Sequence, residues 1–104
     1  MTLSIILPSY KNAEILRANL PELLLWLNEK TISYEVIVVD DGSNGEGETE
    51  RVARENKCRF VALERNSGKG AAVRKGMREA TGDFRISTDA DIPFDFEAIQ
   101  TIVF

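Results

Sequence analysis

The stretch Tyr34-Glu-Val-Ile-Val-Val-Asp-Asp-Gly-Ser43 decides the fold class of this chain. A short run rich in valine and isoleucine is ended abruptly by two aspartates, a glycine and a serine. A strand with one wet face would alternate apolar and polar residues. An unbroken apolar run instead fits a strand covered on both faces, as in the parallel sheet of an α/β protein. Leu3–Leu7 is a second apolar run, ended by Pro8. "RFVAL" at 59–63 and Phe84–Thr88 predict third and fourth strands.

Helical patterns separate these strands. Asn12–Glu29 places Ile15, Leu16, Leu20, Leu23, Leu24 and Leu27 at helical spacing. Pro21 predicts either a kink there or a second helix with Asn19 as N-cap. Glu48–Asn56 is polar and helix-compatible, and Ala71–Ala80 predicts a helix with Ser67 as candidate N-cap. Gly82 is expected to end that helix as a left-handed C-cap. Asp95–Phe104 predicts a further helix. The alternation β-α-β-α-β-α-β-α implies an α/β, Rossmann-like three-layer αβα fold, with a mainly parallel sheet of about four strands and right-handed crossovers. No repeat or linker interrupts residues 1–104, which read as a single domain.

Composition narrows the chemistry. The 104 residues are 43% hydrophobic and 29% charged, the balance of an ordinary globular domain. The net charge of −4 argues against nucleic acid as a partner. Cys58 is the one cysteine and there is no histidine, which excludes a Cys/His nucleophile pair and the usual Cys/His zinc site. A lone thiol suits a reducing cytoplasm. "LSIILP" is too short for a signal peptide, and "LLLWL" at 23–27 is too short to cross a bilayer, so no transmembrane segment is expected.

In open parallel sheets ligands bind beyond the carboxyl ends of the strands. Those ends read "PSYKN", "DDGS", "RNSGKG" and "TDADIP". Asp89 and Asp91 stand two apart in an extended segment, so both carboxylates can face one point. Hard cations such as Mg²⁺ or Mn²⁺ take oxygen ligands, commonly one or two carboxylates plus substrate phosphates. Small Ala90 leaves room between them. The bland alternative is that the aspartates cap the next helix or end the strand, and isolated D-x-D tripeptides usually do no more.

"SGKGAAVRKG" is neither a dinucleotide fingerprint nor a P-loop, yet its glycines and helix start suit a diphosphate. Residues 64–85 hold Arg65, Lys69, Arg74, Lys75, Arg78 and Arg85 against Glu64, Glu79 and Asp83. Lys75 and Arg78 read as a solvated face, Lys69 and Arg74 as candidate ligands. Of Asp40 and Asp41, one reads as a helix cap and the other as the acceptor for a base N–H such as that of uracil or guanine. Tyr10 suits stacking on a base or packing under the sheet edge, and Cys58 reads as structural.

Together "SIILPSYKNAE", "YEVIVVDDGS", "NSGKGAAVRKGMREATGDF" and "STDADIP" resemble the N-terminal half of family 2 glycosyltransferases of the GT-A fold. Within that family the string is most similar to polyprenyl-phosphate (dolichyl-phosphate-type) glucosyl- and mannosyltransferases. The resemblance implies that Pro8, Tyr10 and Glu14 form the nucleoside pocket and that Asp41, with Asp40, binds the base. It implies Lys69 and Arg74 along the diphosphate, and Asp89 and Asp91 as the metal pair for Mg²⁺ or Mn²⁺. The implied reaction is inverting transfer of a hexose from a UDP- or GDP-sugar to a lipid-phosphate or glycan acceptor. A phosphate acceptor is largely ionised at neutral pH and needs little from a base.

The loop "NGEGETE" after Ser43 departs from the family's usual continuation, which leaves its contacts undefined. The resemblance also implies a truncated GT-A fold, with the general base and acceptor side expected beyond Phe104 and weak or no activity in this chain alone. It places the chain in the cytoplasm or at the cytoplasmic face of a membrane. Strand 84–88 would be an exposed edge, a route to a homo-oligomer. A non-catalytic nucleotide-binding module is the alternative. A nucleotidyltransferase is disfavoured, because "LPSYKN" lacks the glycine that its first loop would need.

Overall fold

The structure is a computed structural model that describes residues 2–30, 33–43, 47–89 and 97. The chain forms β1 (Thr2–Ser9), α1 (Ala13–Asn28), β2 (Ser33–Asp40), α2 (Glu48–Glu55), β3 (Arg59–Ala62), α3 (Lys69–Glu79) and β4 (Phe84–Ser87). The helix expected over 95–104 lies outside the described residues, apart from Glu97, which is helical. All pairings in the four-stranded sheet are parallel and the order is β3-β2-β1-β4.

The two apolar runs sit at the centre because both of their faces are covered. Leu3, Ile5 and Leu7 of β1 and Val36 and Val38 of β2 meet Leu16, Leu20, Leu23 and Leu27 of α1 and Val52 and Ala53 of α2. Ile6, Ile37 and Val39 point the other way and meet Ala72 of α3 and Ala80. Alternate residues of one strand thus feed two cores, which is why neither strand can afford an alternating pattern. Each fully buried leucine of α1 contributes about 1.5–3 kcal/mol. Ile15 of the same helix is exposed, so the helical pattern overstates the buried stripe by that residue.

β1 runs through Pro8 to Ser9 instead of stopping at the proline. Ile6 O accepts from Thr88 N at 3.1 Å, so residues 4, 6 and 8 turn their main-chain groups toward β4. The ladder with β4 ends at Ile6↔Ser87, so Pro8, which has no N–H to donate, falls past its last paired residue.

Three cap assignments are corrected. α1 is one continuous helix with Pro21 inside it, so Asn19 starts no second helix. The N-cap of α3 is Gly68, not Ser67, whose main chain is held elsewhere. Gly82 is not left-handed; α3 leaves through an extended Ala80, and a Cβ at Gly82 would stand 2.8 Å from the Ser4 main-chain N. Glycine is needed there for close approach to β1, not for a turn.

The strand order has a consequence for function. The chain proceeds outward from β1 through β2 to β3, then returns by α3 to place β4 on the opposite side of β1. The reversal between β1 and β4 is a topological switch point, where the loops at the carboxyl ends part and leave a crevice.

Candidate functional site

The crevice at the switch point is a cleft of about 460 Å³ lined by Pro8, Ser9, Tyr10, Asn12, Asp41, Asn66, Gly68, Lys69 and Asp89. β1 supplies its floor, the loop before α3 one wall, and the exit of β4 the other. Five residues singled out in the sequence therefore meet here: Pro8, Tyr10, Asp41, Lys69 and Asp89.

Asp41 is 4% exposed and its carboxylate is heavily engaged. Oδ1 accepts from Ser67 N at 2.7 Å, and Oδ2 accepts from Gly68 N at 3.0 Å and from Asn66 Nδ2 at 3.1 Å. This carboxylate pins the loop that leads into α3. Gly42 beside it has φ +67, and a Cβ there would lie 2.1 Å from the Arg65 main chain. Only glycine lets the two loops meet so closely. Asp40 is also buried, accepting from Ser43 N at 3.1 Å and from Ser43 Oγ. Ser43 Oγ in turn accepts from Lys11 N at 3.0 Å, which ties the β2 exit to the β1 exit.

Asp89 and Lys69 are different in kind. They form an ion pair between Lys69 Nζ and Asp89 Oδ1, with side chains 63% and 42% exposed. Lys69 opens α3, whose first N–H groups have no intrahelical acceptor, so positive charge gathers on this wall. Tyr10 is 43% exposed, with Lys11 Nζ 5.2 Å from its ring centroid, and can offer a ring face to a base.

The remaining candidates fall elsewhere. Glu14 and Asp40 line a neighbouring groove of about 720 Å³, between the starts of α1 and α2, with Lys11, Glu48 and Glu50. That groove is larger, but four carboxylates against one ammonium would repel a diphosphate, so the smaller cleft is the better anion site. Arg74 lies exposed on α3, its guanidinium turned back toward Gly70, and is not among the residues lining the cleft. Ala90 and Asp91 lie outside the described residues. Among those described, no group of three carboxylate, histidine or cysteine side chains converges on a metal position. Asp89 is a hard oxygen donor open to the cleft, which suits Mg²⁺ or Mn²⁺ completed by phosphate oxygens.

Sequence reasoning passed over Ser9, Asn12 and Asn66 as site residues. The signal was present, since each is a polar residue in the segments "PSYKN" and "RNSGKG" that follow strands. Burial pushes the Cys58 thiol up to about 11, in keeping with a structural role. No helix among the described residues is long and apolar enough to cross a membrane.

The sequence pattern of the family Glycosyl transferase family 2 matches residues 4–104. The chain is 37% identical over 112 residues to the dolichyl-phosphate beta-glucosyltransferase of Mus musculus, covering 96% of this chain and 34% of that protein. It is 34% identical over 105 residues to the undecaprenyl-phosphate 4-deoxy-4-formamido-L-arabinose transferase of Aeromonas hydrophila, covering 96% and 32%. A mannosyltransferase of Pyrobaculum calidifontis, solved in complex with GDP-Man and Mn²⁺, superposes with a TM-score of 0.72 at 26% identity. That match covers 89% of this chain and 28% of the mannosyltransferase. The chain thus spans about a third of the length of the curated relatives it matches.

Proposed function

Because the chain belongs to glycosyl transferase family 2, we propose that it forms the donor-binding part of a metal-dependent, inverting hexosyltransferase that uses a UDP- or GDP-sugar and a polyprenyl-phosphate acceptor. The observation that carries this reading is the cleft at the β1/β4 switch point, which gathers an aromatic ring, a helix start, an ammonium and an open carboxylate. Each matches one part of a nucleotide sugar. Tyr10 stacks on the base, and the loop that Asp41 pins sets the wall beside it. Lys69 and the first turn of α3 face the diphosphate. Asp89, with Asp91, would hold Mg²⁺ or Mn²⁺. When bound, that ion offsets the charge developing on the departing nucleoside diphosphate.

The geometry also bears on base reading. Both Asp40 and Asp41 already accept hydrogen bonds from their own loops. Asp41 lines the cleft with its position set beforehand, whereas Asp40 lines the neighbouring groove, so of the two only Asp41 stands beside a base bound in the cleft. The acceptor class rests on the lipid-phosphate substrates named for the two curated relatives. Titration calorimetry with UDP-glucose and GDP-mannose, with and without Mn²⁺, tests the reading. Wild type should bind one donor in a Mn²⁺-dependent way, and Asp89→Ala and Asp91→Ala should each lose that dependence. Metal-dependent binding that survives both substitutions would overturn it.

A further inference from the structure

The ion pair at the mouth of the cleft joins two residues that each follow an anchored stretch of main chain. Lys69 follows directly on Ser67 and Gly68, whose N–H groups are held by Asp41. Asp89 follows Thr88, whose N–H donates to Ile6 O of the central strand. The two side chains are thus aimed at each other by the fold, while their exposure leaves the pair open to ions from solvent. Lys69 has no other ion pair among the described residues, and neither has Asp89.

A carboxylate that holds an ammonium on one oxygen is a poor ligand for a divalent cation. The two cations would stand within about 4–5 Å of each other, where like charges repel strongly. We propose, building on the metal-dependent reading above, that Lys69 competes with the divalent cation for Asp89 and is handed to the donor's diphosphate when the metal takes its place. The exchange has a built-in direction. Metal alone must displace the ammonium and leave it unpaired beside a dication. Metal arriving with a nucleoside diphosphate brings negative oxygens that pair the released Lys69. Metal and nucleotide therefore bind cooperatively, with Lys69 carrying part of a coupling that would otherwise come from direct coordination alone. The device keeps the cleft from filling with metal in the absence of donor.

The test measures Mn²⁺ alone, then Mn²⁺ in the presence of UDP or GDP, by calorimetry on the full chain as wild type, Lys69→Gln, Lys69→Arg and Asp89→Asn. Lys69→Gln should bind Mn²⁺ alone about three- to tenfold more tightly than wild type, because it removes an exposed ion pair and a repulsion. Lys69→Arg keeps the charge and should stay near wild type. The tightening of Mn²⁺ binding by nucleotide should be smaller in Lys69→Gln. Mn²⁺ affinity that is unchanged or weaker in Lys69→Gln, or undetectable in both it and wild type, overturns the competition. Asp89→Asn separates the two levels of the argument. If it weakens Mn²⁺ binding while Lys69→Gln changes nothing, only the competition falls; if it leaves Mn²⁺ binding intact, the metal reading falls as well. Thermal melts check that each variant is folded, and Lys69→Met is a second neutral variant should the glutamine form new contacts.

Discussion

Glu35 and Asp89 are carboxylates at opposite ends of the same sheet, and their surroundings differ in kind. At the amino end, Glu35 Oε2 accepts from Ser4 Oγ at 2.5 Å, from Thr81 N at 2.6 Å and from Thr81 Oγ1 at 3.0 Å, while Oε1 accepts from Arg59 Nη1 at 2.9 Å. Arg59 Nη1 also donates to Glu79 O at 2.7 Å, and Gly82 N donates to Ser4 Oγ at 2.8 Å. Burial alone would raise the Glu35 pKa; the hydrogen bonds from Ser4, Thr81 and Arg59 outweigh it and bring the carboxyl down to about 2. At the carboxyl end, Asp89 has a single partner among the described residues, the exposed ammonium of Lys69. One carboxylate spends its lone pairs on the fold, the other keeps them for solvent or ligand.

Asp41 belongs by location with Asp89 and by construction with Glu35, since its carboxylate is buried and fixed by its own loop. Location at a functional edge therefore does not by itself make a residue a ligand. The count of intramolecular partners separates the group that shapes the cleft from the group that is open to bind within it.

Substitutions can break this contrast. Gly42→Ala should have the largest effect, destabilising by about 3 kcal/mol or more, because its Cβ meets Arg65 main chain at 2.1 Å and its φ is +67. Denaturant titration would reveal it, and a loss under about 1 kcal/mol would show that the two loops part easily. Glu35→Ala should cost about 2–3 kcal/mol, since it leaves Ser4, Thr81 and Arg59 without their acceptor.

The pH dependence sharpens the same point. Glu35 has a folded pKa of about 2 against an ordinary 4.5, so its contribution is complete above about pH 4.5 and is lost as pH falls toward 2. Acid titration of Glu35→Gln should lack that component, and an acid limb identical to wild type would remove Glu35 as its source. Asp89→Ala should shift stability by less than about 0.5 kcal/mol in the same denaturant assay, as expected of an exposed pair. A loss as large as that of Glu35→Ala would erase the distinction between the two ends. The smallest structural effect concerns Cys58, whose raised pKa should slow alkylation at pH 8 about a hundredfold in the folded chain relative to the unfolded one.

Much of the architecture was legible in the residues. The runs "LSIIL" and "YEVIVV" announced buried parallel strands because a strand covered on both faces cannot alternate. The helical spacing of Leu16, Leu20, Leu23 and Leu27 announced α1 and its buried side. Caps were read less well. Ser67 and Gly82 have the right chemistry for capping, but tertiary contacts to Asp41 and Ser4 claimed their main-chain groups first. In the site, Tyr10, Lys69 and Asp89 were legible because they follow strands, whereas the split between the cleft and the groove of Glu14 and Asp40 was not.

The sequence by itself determined which segments are strands and helices, and that polar residues crowd the strands' carboxyl ends. Those are local properties, written in spacing and residue type. Only the tertiary structure decided that β4 returns beside β1, that the cleft opens at that reversal, and that Asp41 fastens a loop while Asp89 stays open. These outcomes depend on contacts between residues far apart in the chain, 25 positions for Asp41 and Asn66 and 46 for Glu35 and Thr81, a range over which periodicity carries no information.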